Sequence, residues 1–595
     1  MRRSVVNCVL GIGFFAVAAA FLVARGSPPT GYEASIYAGT PTATWLGLGV
    51  AMAVAVAIAL LARGLDQAAG IGLGGLSVTA IVALPAVRNY HFSGMGDALT
   101  HLGWTRDFLE GAMYPHELFY PGVHGIASAL HLAGGIPVER ALLLVVVALF
   151  VPFVVFVPLV VRDMTGDGAA VGFAAIAAWL VLPINNVATH MGIHTNSNAL
   201  FLVPAVFFAF VAYSRRRADL EALPFGISPF GLLLLASSVA LLLVHPQQMV
   251  NVVVVLAAIC LVQFVSRRRS GNPAIAGHRT AYAHTLALGG LFVAWSLSNE
   301  RFRDALSGLF YGLATAGVGA GSEVGQRGSS LSEVGGSLGE LFVKLFLVSA
   351  LIGGVVGLFV LLTWLGRTRV DSESRAFVTY FGAALVPLGA IFLVYFVGTP
   401  TMAFRQVGFI FVVITVLAGV ALARGVGWLS GLVTTPGATA VAAAALGACL
   451  VLALATLFAS PFIYTPTQHV TDAQVSGYDS AFEHGSEEIA YAGYGFGVTR
   501  YGQGLYGVER DQDRRYRATI AGTVEPDPFE AGAYGEAYPP DRYYLVVTEY
   551  DRVREHEVYD ELHHSEEGLA ELATDPAANE LLSNGEVTLY AVEDR

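Results

Sequence analysis

Lysine is almost missing from this 595-residue chain: Lys344 is the only one. Cysteine is nearly as scarce, and Cys8, Cys260 and Cys449 each sit inside a separate apolar stretch. Thiols so far apart exclude a disulfide framework and a regular cysteine metal cluster; they read as small core residues. Charge as a whole is thin, with 13% charged residues against 55% hydrophobic ones. The formal net charge of -12 argues against nucleic acid as a partner, because polyanions are bound by basic surfaces. The negative charge is also unevenly spread. From residue 459 onward stand 27 of the 45 acidic residues but only 9 of the 33 basic ones. An acidic, lysine-poor exterior is the composition expected of a halophilic archaeal protein. A high-GC codon preference explains the missing lysines but not the excess of acid.

What the chain does have is long apolar runs. A bilayer core takes about 20 residues of helix, and about thirteen such stretches precede residue 460. They run roughly over 5–24, 44–62, 69–88, 140–161, 168–188, 198–213, 226–245, 249–265, 280–299, 340–365, 376–397, 406–423 and 437–458. None shows the alternation of a membrane barrel, so helices are expected. The fold class is then an all-α polytopic membrane domain over residues 1–460, followed by a small soluble α+β domain over 461–595. In that second part YLVVTEYD (543–550) and EVTLYAVE read as strands, and VYDELHHSEEGLAELATDPAANELLSNG as two short helices closed at Gly585. The run YAGYGFGVTRYGQGLYG offers tyrosines that either stack on sugars or fill a core.

Arginines fall in every second loop: Arg2 and Arg3, Arg63, Arg162, Arg215 to Arg217, Arg267 to Arg269, Arg367, Arg369 and Arg375, and Arg424. The positive-inside rule makes those loops cytoplasmic. The chain is thus expected in the cell membrane, with its N-terminus inside and its C-terminal domain outside. The first stretch is followed directly by Arg25 and lacks a strong small-residue cleavage site, so it reads as a retained helix rather than a signal peptide.

The other loops carry the chemistry. The first outer loop, 89–139, gathers Asp97, His101, Asp107, His116, Glu117 and His124. Asp97 and His101 are four apart and share a face of any helix starting near Asp97, with Gly94 and Gly96 permitting the turn into it. Asp97 is either a reactive acid or that helix's N-cap or first-turn acid. In THMGIHTNSN, His190 and His194 have the same spacing but no HExxH acid between them. Zinc binding, contact with a headgroup or sugar, and ordinary loop hydrogen bonding all remain open there. His245 opens HPQQMVN, where Pro246 breaks two spans; it either faces a cavity or closes a polar turn. The outer loop 299–339 is Gly- and Ser-rich, and reads as a gate with Glu300, Arg301, Glu323 and Arg327 or as a spacer. Arg405 stands at the outer start of the twelfth stretch, where it either snorkels or grips a phosphate with its fork of donors.

The segment GDALTHLGW…FYPGVH (96–124), with VSGYDSAFEHG (475–485) and the closing SNGEVTLYAVED, resembles archaeal members of the GT-C glycosyltransferases, which use polyprenyl-phosphate-linked sugars. The resemblance implies a membrane glycosyltransferase acting at the outer face, with inversion and Asp97 as base beside His101. The family's phosphate-binding arginine maps onto Arg405; among the outer-loop residues His245 is a further candidate for the donor phosphate, and His190, His194, His116 and Glu117 are candidates for the substrate. The partners implied by the resemblance are a polyprenyl-phosphate-linked sugar, the lipid bilayer, and a glycan or protein acceptor. No cofactor is required by it, and a divalent cation stays open. The first loop lacks DxD or a paired DE, and the tail lacks WWDYG, which weighs against oligosaccharyltransferase activity and a tightly held metal. The competing expectations are a transporter or flippase of lipid-linked saccharides, with a polar path through the spans, and a non-enzymatic scaffold.

Overall fold

The computed structural model describes residues 3–215, 227–269, 271–300, 336–398, 400–495, 497–509, 522–539 and 542–593, with the isolated positions 223, 302, 303 and 307. Each of the thirteen apolar stretches carries a helix, but the one expected over 168–188 is helical only to Trp179 and continues as turns and loop. Among the described residues, ten helices are long and apolar enough to cross a membrane. Gly168–Trp179 and Pro229–Val244 are shorter apolar helices, and Tyr282–Ser298 is the remaining stretch. The protein is a multi-pass membrane protein. Its helices leave large apolar side chains such as Phe15, Leu46, Leu286 and Val451 exposed, which is the surface lipid covers.

Glycine sets the closest helix approaches. A side chain at Gly172 would meet the Ala59 carbonyl, and one at Gly419 would meet Ala170 and Ala174. These small residues let helices Thr42–Leu61, Gly168–Trp179 and Pro400–Leu429 pack backbone to backbone, as membrane helices commonly do.

One end of the bundle is joined to the C-terminal domain. A two-stranded sheet pairs β1 (Phe92–Ser93), at the entrance to the first loop, with β2 (His469–Val470), after the last span. Beside it Arg88, buried, is held by both Glu33 carboxylate oxygens at 2.5 and 2.6 Å, and Tyr90 stacks on His469 at 3.8 Å.

The C-terminal domain is built on a four-stranded sheet of order β3 (Ala490–Gly493), β4 (Arg542–Thr548), β6 (Val587–Glu593) and β5 (Ala578–Ser583). Only β3 and β4 run parallel. Alternation along β4 divides its burial. Tyr543, Leu545 and Val547 face the domain's own core, while Tyr544 and Val546 join the cluster continuous with the membrane helices. Three of the four tyrosines of the Tyr-Gly run, Tyr491, Tyr494 and Tyr501, are buried in these cores, and the half-buried Tyr506 donates its hydroxyl to Asp479.

Two expectations for this domain need correction. The strand reading of 543–550 runs too far, because Thr548 and Asp551 form a reciprocal capping box that starts a helix at Glu549. The second of the two expected helices is strand β5, since ANELLS pairs with β6 and cross-strand partners override good local helix formers. Gly585, at φ +90°, makes the β5–β6 turn rather than closing a helix.

Candidate functional site

A cavity of about 280 Å³ opens at the end of the bundle that meets the C-terminal domain. Four segments wall it: the entrance to the first loop with Asp97, the 186–194 loop with His190 and His194, the start of the Pro400–Leu429 helix with Arg405, and the linker from Phe458 to Gln468. Four residues singled out in the sequence therefore line one space, although they are up to three hundred residues apart.

Asp97 is the first residue of helix Asp97–Glu110. Gly96, at φ +57° and ψ -120°, occupies the N-cap and supplies no side chain. Asp97 is therefore not the N-cap but a first-turn acid of this helix, where a carboxylate is favoured by the helix dipole. Its carboxylate Oδ1 lies 2.9 Å from Nη2 of Arg500, which arrives from helix Val498–Tyr506 of the C-terminal domain. The Asp97 side chain remains 62% exposed. Arg500 was not singled out in the sequence; its signal is that it is the only lysine or arginine between residues 459 and 509.

His190 and His194 sit on a non-helical loop rather than on a helix face. Ser197 fixes both: its hydroxyl accepts from the His190 amide at 2.9 Å and lies 2.7 Å from His194 Nδ1. Burial, reinforced by the neighbouring Arg405 charge, lowers the proton affinity of both imidazoles and keeps them neutral at pH 7. The loop itself is shaped by Asn185, whose Oδ1 accepts from the amides of Val187, Ala188 and Thr189 and whose Nδ2 donates to the Phe404 carbonyl. That last bond ties the histidine loop to the turn of helix that carries Arg405.

Arg405 forms no ion pair among the described residues. Its Nε is buried without a hydrogen-bond partner, and its one contact is a 3.8 Å approach to the Met402 sulfur. A guanidinium with five donors and no carboxylate, lining a cavity, is suited to an anionic ligand.

The remaining candidates do not line the cavity. His101 is buried one turn beyond Asp97, with its Nδ1 3.0 Å from His124 Nε2, against Trp104 and Tyr120. His245 stacks on Tyr120 at 5.4 Å and feels the Arg405 charge, but stays behind the wall. Burial pushes His101 down to about 4. His116 and Glu117 lie away from both groups, on an exposed turn where Glu117 accepts from the Tyr114 amide and His116 stacks on Tyr114. Arg301, Glu323 and Arg327 lie outside the described residues.

Among the described residues no three His, Cys, Asp or Glu side chains come together, and the Asp97 carboxylate already faces a guanidinium.

No family model and no curated protein matches the chain. Solved structures of similar architecture include ArnT and AglB. ArnT from Cupriavidus metallidurans bound to undecaprenyl phosphate has a TM-score of 0.48 at 13% identity, covering 88% of this chain and 98% of that one. The archaeal oligosaccharyltransferase AglB from Archaeoglobus fulgidus, in complex with an inhibitory peptide and a dolichol-phosphate, has a TM-score of 0.44 at 13% identity, covering 87% and 74%. Both are GT-C superfamily membrane glycosyltransferases. No residue role passes to this chain from a likeness of that kind.

Proposed function

We propose that this protein is a membrane glycosyltransferase that moves a sugar from a polyprenyl-phosphate donor to a hydroxyl of a glycan or protein acceptor at the outer membrane face. The observation that carries the reading is the shared cavity: an exposed carboxylate, two neutral imidazoles and an unpaired guanidinium face one space at the membrane boundary.

The chemistry divides among them. Arg405 binds the donor phosphate and offsets the charge that grows on it as the bond from the sugar C1 to the phosphate oxygen breaks. Asp97 accepts the proton of the acceptor while the new bond to C1 forms on the opposite face, which inverts the configuration there. The products are the glycosylated acceptor and the free polyprenyl phosphate. His190 and His194, held neutral, hydrogen-bond the sugar hydroxyls without competing with Arg405 for the phosphate. The donor's lipid lies along the bilayer beside the helix that carries Arg405. The same charge logic sets the topology: the arginine loops face the cytoplasm, and the cavity and the acidic C-terminal domain face outward.

The test incubates the purified full-length protein with labelled polyprenyl-phosphate sugars and follows label released to an acceptor. Transfer that disappears in Asp97→Asn supports the reading. Full transfer by Asp97→Asn defeats the assignment of the base. Translocation of the intact lipid-linked sugar across vesicles, with no transfer, defeats the enzyme reading in favour of a flippase.

A further inference from the structure

The C-terminal domain touches the first loop along a narrow and unusually close seam. Helix Val498–Tyr506 lies against helix Asp97–Glu110 at a glycine on each side: Gly504 faces Leu99, and a Cβ on Gly103 would come within 2.4 Å of the Gln503 carbonyl. Polar bonds fasten the far end. Arg106 Nε donates to the Gly504 carbonyl at 2.7 Å, and Asp107 Oδ2 accepts from the amides of Val508 and Glu509 at 2.8 and 3.1 Å.

Arg500 projects from this seam toward the cavity. Its Nη1 donates to the Thr100 hydroxyl and, at 3.3 Å, to Gln503 Oε1, and Thr100 in turn donates to Gln503 at 2.8 Å. The guanidinium is therefore fixed by groups other than Asp97. Asp97 is in the opposite position. It is mostly exposed, it follows a glycine, and Arg500 is its one ion-pair partner among the described residues. The contact uses Oδ1 and leaves Oδ2 free to take a proton.

We infer that Arg500 is the positioning residue of Asp97, so that the C-terminal domain supplies part of the site. A planar fork already immobilised by Thr100 and Gln503 confines an exposed carboxylate that otherwise samples several rotamers. Confinement of this kind lowers the cost of reaching a reactive geometry. The catalytic consequence rests on the reading of Asp97 as base; the confinement does not.

The experiment uses the full chain in detergent and separates the two. Carbodiimide coupling of an amine to carboxylates, read by peptide mass spectrometry, reports access to Asp97 without any turnover. Arg500→Gln is expected to raise Asp97 modification by about fivefold, because the charge-assisted bond is gone. Arg500→Lys keeps most of the protection. Arg106→Gln, which loosens the seam away from Asp97, leaves modification unchanged. In the transfer assay Arg500→Gln lowers kcat by about tenfold with the donor KM unchanged, and Arg500→Lys recovers part of it. Equal modification of wild type and Arg500→Gln overturns the inference, as does an Arg106→Gln effect as large as that of Arg500→Gln. A rise in kcat, or a rise in donor KM alone, overturns it too, since Arg500 would then restrain Asp97 or bind donor. A wild-type protein inert toward every polyprenyl-phosphate sugar defeats the proposed function, while the modification result still decides the positioning.

Discussion

Helix Pro400–Leu429 carries an arginine near each end, Arg405 and Arg424, and the two have opposite surroundings. Nineteen residues of helix separate them, which at 1.5 Å per residue is roughly 28 Å, close to the thickness of a bilayer's hydrocarbon. Arg424 meets the carboxylate of Asp167 at 3.4 Å, and its neighbours at that end are paired too: Arg215 with Glu373 at 3.2 Å and Arg162 with Asp163 at 3.3 Å. Arg405 has no such partner, and the histidines around it are held neutral. The Nε of Arg424 is without a hydrogen-bond partner, as that of Arg405 is, so what separates the two ends is the carboxylate beside Arg424. An arginine left without one beside a cavity points to a charge that arrives from elsewhere.

Substitution sharpens that contrast at both ends. The largest effect is expected from the two aspartates. Asp97→Asn should remove transfer, a loss of about 10²–10⁴-fold for a general base. Asp167→Asn should leave activity intact, because Asp167 caps a helix by accepting from the Ala169 amide and asparagine caps as well. The arginines come next. Arg405→Gln should lower kcat/KM for the donor by about 10²–10³-fold, as loss of a transition-state charge contact does. Arg424→Gln should change it less than about twofold, in keeping with a half-exposed pair. Equal losses for Arg405→Gln and Arg424→Gln would erase the distinction between the two ends.

Smaller effects concern the seam and the buried imidazoles. Gly103→Val should cost about 1–3 kcal/mol, because its side chain meets the Gln503 carbonyl, and should speed proteolytic release of the C-terminal domain. His101 binds its proton at about 4 when folded, against 6.5 for the free group. The unfolded chain then takes up the proton first, so stability is level above pH 6.5 and falls as pH drops from 6.5 toward 4. Thermal midpoints measured across pH 4–7 should show this decline, and His101→Gln should make it shallower, the remainder coming from His124, His190 and His194, whose proton affinity burial also lowers. A midpoint that climbs on acidification would mean that His101 is charged in the fold.

Much of this was legible in the sequence, for different reasons at different places. The spans were, because twenty-residue apolar runs have few alternatives. Asp97, His190, His194 and Arg405 stood out because polar groups at the edge of such runs are costly without a purpose. His116 and Glu117 stood out for the same density of titratable groups, yet Glu117 is spent on the Tyr114 amide of its own turn. Proximity in sequence does not say which way a turn faces. Strand β5 was hidden because ANELLS has helix-forming residues and its strand character comes from β6. Arg500 was hidden more deeply. Its partner lies some four hundred residues away, and no local period encodes a contact of that span.

That separation has a consequence in time. Thr100 and Gln503 are 403 residues apart, and strand β1 likewise waits for β2. At about 5–20 residues per second of synthesis, the first-loop helix spends roughly 20–80 s on its side of the membrane before its partner emerges. Through that interval Gly103 and Leu99 have nothing to pack on and Asp97 has no counter-ion. The cavity is thus among the last parts of the protein to come into being, and a newly made chain lacks the contact between Asp97 and Arg500 until its C-terminal domain has docked.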